Sequence, residues 1–369
     1  MEKCVKILTK KNIYLLQQKL KKKKIYIYIY IELPDEDDMK QKGFIGRLKK
    51  AMYGTRSAPR MWQKVVKQTM TDMGFSSCIT TPCLYYHQAR DIFVVAHVDD
   101  FLCSGKVADI QWMKTELEKK FGLTSQIIGP GQSGNYLGRN ILWEADGISI
   151  EGENKYIDTM ILEWDLANSS GLSTPGCNED KREAGGDEEL RPRLTTAFRR
   201  SAAMANYMAQ DRPDISFASK EVSRGMSCPT RLDTVKLKRL IRYLSNARRR
   251  AIKHTWQDPT EQLAVYSDSD WAGCVKTRRS TSGGVLLHGK HLVHHWSSTQ
   301  ATVALSSAEA ELNAIVKGMA EVIGAKSMVE ECFRIYRGRI FTDSSAANGI
   351  VHREGCGKVK HLERRQLWI

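Results

Sequence analysis

Three short apolar runs along the chain end in aspartates. In IFVVAHVDD, from Ile92 to Asp100, a β-branched run reaches two adjacent carboxylates, and a second apolar run begins at once with Phe101. This order predicts a strand, an acidic tip and a second strand. Two further strands run into acids in the same way: LAVYSDSDW, Leu263 to Trp271, and IFTDSS, Ile340 to Ser345. The chain therefore repeats one pattern, in which a predicted buried strand ends in one or more carboxylate side chains.

Adjacent carboxylates at the end of a buried strand repel each other and lose hydration. A fold retains them where water or a cation compensates. Carboxylates on a hairpin tip can hold Mg²⁺ against the phosphates of a nucleotide. Asp99 and Asp100 are thus a candidate metal site. A polar turn between two strands is the alternative, because so short a motif often matches by chance.

Apolar residues at helical spacing predict helices between and after these strands. The predicted helices cover residues 57–73, 110–121, 156–166, 195–210, 233–250 and 306–329. In the last of them Ser306 and Ser307 precede Glu309, which is the signature of a capped start. Apolar and polar residues alternate around Asp146-Gly147, which predicts a β-hairpin near 136–152 at the end of the first sheet.

The N-terminal stretch has a repetitive composition. Residues 1–24 are rich in lysine, and residues 25–31 alternate strictly as IYIYIYI. Because both alternating residues are apolar, a strand built from them has no solvent face. The stretch also lacks the uninterrupted apolar core and cleavage site of a signal peptide. We interpret residues 1–31 as translated low-complexity sequence that lies outside the folded protein.

The chain is basic. Its 369 residues contain 57 Lys and Arg against 42 Asp and Glu, a net charge of +15, and 41% of them are hydrophobic, which suits two or three domains. The charge predicts salt-dependent binding to polyanions, and no apolar run approaches the ~20 residues of a membrane span. The nine cysteines lack metal-ligand spacing. We expect a reduced, intracellular protein, in a cytoplasmic particle or the nucleus and not secreted.

Six motifs follow one another in the sequence. They are LKKAMYGTRSAPRMW at 48–62, GFSSCITTPCLYY at 74–86, HVDD at 97–100, NYLGRNI at 135–141, STP at 173–175 and RPDISFA at 212–218. In this order and spacing they resemble the reverse transcriptase of copia-type LTR retrotransposons, and the resemblance continues into a ribonuclease H segment of the Pol polyprotein. His97 departs from the family, which usually has an aromatic or aliphatic residue there.

The resemblance implies an α+β fold, with a right-hand polymerase palm and connection followed by a ribonuclease H-like mixed-sheet domain. The implied division is low-complexity sequence at 1–31, partial fingers and palm at 32–175, a linker with a helical thumb or connection at 176–261, and the ribonuclease H-like domain at 262–369. Relative to the family, both ends are expected to be incomplete. A first palm aspartate is expected before Ile29 and a fourth ribonuclease H aspartate beyond Ile369, and the sequence contains neither.

The resemblance also assigns catalytic and metal-binding positions. They are Asp99 and Asp100 in the palm and Asp268, Glu311 and Asp343 in the ribonuclease H domain. The implied cofactor is Mg²⁺ or Mn²⁺, acting in two-metal phosphoryl transfer. Asp270 and Glu309 lie off these positions and are expected either to support the site or to be exposed. Zinc binding by His291, His294 and His295 is disfavoured, because successive side chains of a strand point to opposite faces.

Two groups of basic residues are candidate contacts to nucleic acid. By resemblance, the turn near the incoming nucleotide and template carries Lys49, Lys50, Arg56 and Arg60. Lys236, Arg239 and Arg242 lie on a basic helix that suits a template–primer track. For both groups a merely solvated cluster is the alternative. The implied partners are an RNA template, a DNA primer, an RNA–DNA hybrid, dNTPs and other Pol or Gag segments, and no membrane.

Three hypotheses of function follow from the sequence. The first is RNA-directed DNA synthesis with hydrolysis of the RNA strand of the hybrid, in a degenerate or incomplete copy. The second is a catalytically inactive, basic remnant that binds nucleic acid, which the two absent carboxylates favour. The third retains only the nuclease. Metal-dependent turnover of a hybrid distinguishes the first and third from the second.

Overall fold

The computed structural model of the chain describes residues 3–10, 30–52, 54–176, 188–331 and 335–353, and for 3–10 it describes the backbone alone. Residues 11–29, with most of the Ile-Tyr repeat, lie outside the described residues. So do 177–187 of the predicted linker and everything beyond 353. Contacts divide the chain into two compact units, Met1–Gly129 and Pro130–Ile369. This division falls earlier than the predicted boundary at 175.

The first unit is built on a six-stranded sheet with the order β4-β5-β6-β7-β1-β8. In chain order its elements are β1 Lys3–Lys10, β2 Tyr30–Ile31, α1 Asp38–Gln41, β3 Gly46–Arg47, α2 Ala58–Asp72, β4 Ser76–Ser77, β5 Leu84–His87, β6 Ile92–His97, β7 Asp100–Lys106, α3 Val107–Glu118 and β8 Leu123–Ile128. The short strands β2 and β3 pair separately. The predicted helices at 57–73 and 110–121 correspond to α2 and α3.

The strand β1 corrects the expectation that everything up to residue 31 lies outside the fold. Lys3–Lys10 pairs antiparallel with β7 on one side and with β8 on the other. Its sequence, KCVKILTK, supplies apolar residues suited to a sheet. Without β1, two strands would present rows of unpaired backbone groups to solvent. Strand β1 supplies the backbone hydrogen-bond partners that β7 and β8 would otherwise lack.

Helical periodicity explains which faces of α2 and α3 are buried. In α2 the buried set includes Trp62, Val66 and Met70, spaced four residues apart. In α3 it consists of Ile110, Met113 and Leu117. This spacing places each set on one side of its helix, as expected for surface helices of a globular unit.

The second unit contains two four-stranded sheets, ordered β12-β11-β10-β9 and β15-β14-β13-β16. Its elements are β9 Ser133–Tyr136, β10 Arg139–Glu144, β11 Gly147–Gly152, α4 Lys155–Glu163, α5 Pro192–Met208, α6 Ser216–Arg224, α7 Arg231–Asn246, β12 Ala251–Thr255, β13 Gln262–Asp270, β14 Thr281–His288, β15 His291–Thr299, α8 Ser307–Glu330, β16 Arg337–Phe341 and α9 Ser345–Val351. Helices α4, α5, α6 and α7 pack around one hydrophobic core, which includes Ile157, Phe198 and Leu240.

The predicted hairpin at 136–152 forms, but not where it was expected. Strands β10 and β11 pair around Ala145 and Asp146, then add β9 on one side and β12 on the other. The hairpin therefore belongs to the second unit and not to the sheet of the first strands. Pairing with β12, which follows α7 more than 90 residues later in the chain, is a long-range contact that local pattern does not reveal.

The sheet β15-β14-β13-β16 is mixed. Neighbouring strands are antiparallel except β13 and β16, which run parallel. Helix α8 covers one face, and Gly318 lets it come close: a Cβ there would meet Ile340 and Val265 side chains at 2.7 and 2.8 Å. This strand order and the covering helix are those of a ribonuclease H-like fold, so the predicted fold class is confirmed.

Two sequence expectations concern membrane spans and the oxidation state of the cysteines. Among the described helices, none is long and apolar enough to cross a membrane. Cys83, Cys103, Cys228 and Cys274 carry thiols and not disulfides. Cys78 is disulfide-bonded, which departs from the expectation of a wholly reduced chain.

Candidate functional site

Three carboxylates meet at one edge of the mixed sheet. Asp268 lies near the end of β13, Asp343 lies two residues beyond β16, and Glu311 lies near the start of α8. One oxygen from each side chain lies within 4.8 Å of the other two. The structure thus brings together the ribonuclease H residues that the sequence singled out, and their chemical roles remain a prediction.

Local pairing explains why these residues converge. Tyr266 of β13 lies opposite Phe341 of the parallel strand β16. The residues two positions further on, Asp268 and Asp343, therefore leave the sheet at the same edge. Helix α8 begins at that edge with a cap, in which the Ser306 hydroxyl accepts a hydrogen bond from Glu309 N. A start fixed in this way sets the position of Glu311 one half-turn later.

The electrostatics of the cluster centre on Glu311, which is only 6% exposed. Burial raises the pKa of its carboxyl group, two hydrogen bonds from Ser269 lower it, and the carboxylates of Asp268 and Asp343 raise it again. Its Oε1 accepts from Ser269 N at 3.1 Å and from Ser269 Oγ at 2.9 Å. Among the described residues, its Oε2 is buried without a hydrogen-bond partner.

A divalent cation fits this arrangement. A buried carboxylate oxygen without a partner costs free energy that a nearby cation removes. Asp268 and Asp343 are exposed and supply two further oxygens beside it. Oxygen-only ligation by a few carboxylates is what Mg²⁺ and Mn²⁺ prefer. The residues that would hold the ion are therefore Asp268, Glu311 and Asp343.

The two nearby acids have structural roles. Glu309 is buried, and its Oε2 accepts a hydrogen bond from Leu305 N at 2.8 Å, so it orders the loop before α8. This corrects the alternative that it is exposed. Asp270 accepts a hydrogen bond from Thr281 N, which closes the end of the β13–β14 pair. Neither belongs to the group of three carboxylates.

The palm hairpin places Asp99 and Asp100 at its tip. His97 pairs with Asp100 across β6 and β7, which leaves Val98 and Asp99 as a two-residue turn. Val98 has a φ of +54°, a left-handed conformation that is unfavourable for a β-branched residue. The Trp62 indole N–H donates to the Val98 carbonyl, and this bond holds the strained turn in place.

The palm hairpin is poorer in carboxylates than the ribonuclease H-like edge. Burial raises the pKa of Asp100, the neighbouring Asp99 raises it further, and His97 lowers it. The adjacent strand β1 reads KCVKILTK and carries no acid. In the part of the chain that the structure describes, this end of the six-stranded sheet therefore offers two carboxylates from one hairpin.

The basic residues fall into two classes. Lys49, Lys50, Arg56 and Arg60 are exposed in the first unit. On α7, by contrast, Arg239 donates to Gly176 O at 2.7 Å and to Thr174 Oγ1 at 2.6 Å, and Arg242 donates to Ser170 O at 2.8 Å. These guanidinium groups fasten the segment 170–176 to the helix. Lys236 also has an interaction partner. Arg239 and Arg242 are thus engaged within the chain, and a template–primer track on α7 stays a prediction.

The three histidines of β15 contact different groups. A ring nitrogen of His291 lies 2.6 Å from Thr255 O, and one of His295 lies 3.2 Å from Gln210 O. His294 Nε2 lies 3.9 Å from Oε2 of Glu321, a residue of α8. Among the described residues, the carboxylates of Asp268, Glu311 and Asp343 form a group that could hold a metal ion, and these histidines do not.

Sequence reasoning missed two supporting residues. Ser269 stands between the aspartates of SDSD and donates both hydrogen bonds to Glu311. Period-two alternation in β13 could have placed it on the α8 side. Trp62 lies on the buried face of α2, and its bond to Val98 spans 36 residues, for which the sequence gives no local signal.

Comparisons with known proteins give a consistent result. Residues 6–178 match the family model "Reverse transcriptase (RNA-dependent DNA polymerase)". The chain is 27% identical over 345 residues to the Retrovirus-related Pol polyprotein from transposon TNT 1-94 of Nicotiana tabacum, covering 89% of this chain and 25% of that protein. It is 26% identical over 297 residues to the Pol polyprotein from transposon RE1 of Arabidopsis thaliana, covering 80% and 20%.

The chain therefore spans a quarter or less of the length of these two Pol polyproteins. Among solved structures it is similar to a foamy viral protease-reverse transcriptase in complex with dsDNA. The sequence identity is 10% and the TM-score 0.49, with 83% of this chain and 54% of that chain covered.

Proposed function

Because the chain carries the reverse transcriptase region of a copia-like retrotransposon Pol polyprotein, we propose that it acts on RNA–DNA hybrids and cleaves their RNA strand at Asp268, Glu311 and Asp343. The observation that supports this most directly is the convergence of these three carboxylates within 4.8 Å. A bound Mg²⁺ or Mn²⁺ would activate water and stabilise the charge that develops on the phosphate.

The chain's own residues contribute position and charge. Ser269 fixes one oxygen of Glu311 by two hydrogen bonds, which leaves the other oxygen for a ligand. Asp268 and Asp343 are exposed at the strand ends, so a nucleic-acid backbone can reach them. Three carboxylates repel a bare phosphodiester, and cleavage is therefore expected to require a divalent cation.

The test is cleavage of a labelled RNA strand in a hybrid by the purified chain. Asp343→Asn removes a ligand but keeps the shape, so cleavage should be lost while hybrid binding persists. Glu309→Gln is the matched control on the same helix, because its side-chain oxygen can still accept from Leu305 N. Equal cleavage by Asp343→Asn and the parent would refute the assignment.

The same family membership supports RNA-directed DNA synthesis at Asp99 and Asp100, using an RNA template, a DNA primer and dNTPs. For this step the observed hairpin provides only two carboxylates among the described residues. We infer that the chain does not extend primers by itself, although it binds template and primer. Mg²⁺-dependent incorporation that Asp99→Asn abolishes would overturn this inference.

A catalytically inactive nucleic-acid-binding protein is the second candidate. The sparse palm hairpin and the net charge of +15 favour it. It predicts hybrid binding in the parent and in Asp343→Asn, with no cleavage by either. The expected cellular setting is intracellular, together with other Pol or Gag segments.

A further inference from the structure

An open groove lies beside Asp268, on the sheet face opposite α8. Val265 and Ser267 point towards α8, where their side chains lie near Gly318. The alternating residues Tyr266 and Asp268 therefore project from the other face. A groove of about 470 Å³ lies on that face, and Phe217 of α6 is one of its lining residues. Its volume suits one nucleotide-sized ligand.

Gly283 is one of the residues that line the groove. It pairs with Asp268 of β13 and with Ser297 of β15. A Cβ placed on Gly283 would meet nothing closer than Asp268 O at 4.0 Å, so the space above it is open. A larger side chain at this one position would occupy the groove and would not disturb the backbone.

Aromatic rings border the open space. Tyr266 is 48% exposed and Phe217 is 49% exposed, although both lie next to packed elements. The Tyr266 ring is stacked against Phe341, with centroids 4.8 Å apart and an angle of 15° between planes. This contact holds the ring upright on the sheet. An exposed, oriented aromatic ring is a typical stacking surface for a nucleobase.

The charge around the groove favours a neutral ligand over a phosphate. Lys220 donates to Oγ1 of the lining residue Thr281 at 2.7 Å and is paired with Glu221 at 2.6 Å. Burial lowers the pKa of His295, which keeps that ring neutral near pH 7. The charged residues among those that line the groove are Asp268 and Asp270. A base fits the neutral walls.

We propose that this groove binds one unpaired nucleobase of the nucleic-acid strand whose backbone lies at the Asp268–Glu311–Asp343 cluster. The proposal rests on the proposed function and names a specificity of the same site. The free energy needed to extrude a paired base is about as large as the free energy gained when the base stacks on protein rings. The groove therefore favours a hybrid with a nucleotide already unpaired beside the cleavage position.

The experiment uses the intact chain in EDTA, so that binding is measured without cleavage. Hybrids carry one unpaired 2-aminopurine at successive positions, and a fully paired hybrid is the reference. Fluorescence anisotropy measures binding, and quenching of 2-aminopurine measures stacking. In the parent we expect quenching at one position and about tenfold tighter binding of that hybrid than of the paired one, equivalent to about 1.4 kcal/mol.

Gly283→Val fills the groove and should abolish quenching, with the affinity ratio falling to about one. Gly324→Ala, on α8 where no atom lies within 4 Å of the new Cβ, should behave as the parent does. Tyr266→Leu provides a second test if Gly283→Val does not fold. Binding without quenching at any position, or quenching that survives both substitutions, would overturn the groove proposal alone. Absence of hybrid binding by the parent would overturn the proposed function as well.

Discussion

Replacing Glu311 by glutamine should stabilise the metal-free protein at neutral pH. The substitution keeps the shape of the side chain and removes its charge. Burial and two neighbouring carboxylates raise the pKa of Glu311 above 4.5. A carboxyl group with a raised folded pKa stabilises the fold while it is protonated, and that contribution is lost as the pH rises through the folded pKa. The glutamine side chain does not titrate, so the stability of the variant does not fall in this way as the pH rises.

The magnitude follows from the buried oxygen. Glu311 Oε2 has no partner among the described residues, and such a group costs about 1–3 kcal/mol. For a unit of this size, 1 kcal/mol shifts the Tm by roughly 2–4 °C. We therefore expect Glu311→Gln to raise the Tm in EDTA by about 2 °C or more at pH 8. The gain should vanish near pH 4, where the parent's carboxyl group is protonated.

The assay is thermal unfolding followed by circular dichroism at a series of pH values, with and without Mg²⁺. Mg²⁺ should raise the Tm of the parent and leave that of Glu311→Gln unchanged, because binding to the folded state alone is stabilising. Glu309→Gln is the control on the same helix, and Mg²⁺ should raise its Tm as it raises that of the parent. A parent more stable than Glu311→Gln in EDTA at pH 8 would refute the account of an uncompensated carboxylate.

Three further predictions concern other parts of the chain. Trp62→Phe removes the hydrogen bond to Val98 O and should lower stability by about 1 kcal/mol, measured as the denaturation midpoint; an unchanged midpoint would contradict it. Lys49→Ala should reduce the slope of log affinity for hybrid against log salt by about one, whereas Arg239→Ala should leave the slope unchanged and lower the unfolding midpoint. Deleting residues 1–10 should lower the Tm, because β1 pairs with two strands of the sheet; an unchanged Tm would exclude the strand from the folded protein.

The local sequence pattern was sufficient to predict elements whose stabilising contacts lie close in sequence. The helix predicted at 306–329 spans Ser307–Glu330, because its cap and its apolar spacing lie in the segment itself. The strand–Asp, helix–Glu, strand–Asp order predicted that Asp268, Glu311 and Asp343 would converge. The difference between Glu309 and Glu311 came from family resemblance, since both lie near the start of the same helix.

Long-range pairing accounts for what the sequence could not show. Strand β1 was hidden in a lysine-rich stretch, and its two neighbours, β7 and β8, follow far later in the chain. The hairpin β10–β11 was assigned to the wrong sheet because its partner β12 follows four helices. The sequence places Arg239 on a basic helix, and only the fold shows its hydrogen bond to Gly176 O at 2.7 Å. In each case the deciding contact is absent from the local pattern.

The most direct test of the central claim is Mn²⁺ binding by the intact chain, measured by electron paramagnetic resonance of the free ion. The parent should bind Mn²⁺, Asp343→Asn and Glu311→Gln should lose the tightest site, and Asp99→Asn and Glu309→Gln should retain it. Equal binding by the parent and Asp343→Asn would contradict the assignment of Asp268, Glu311 and Asp343 as a divalent-metal site.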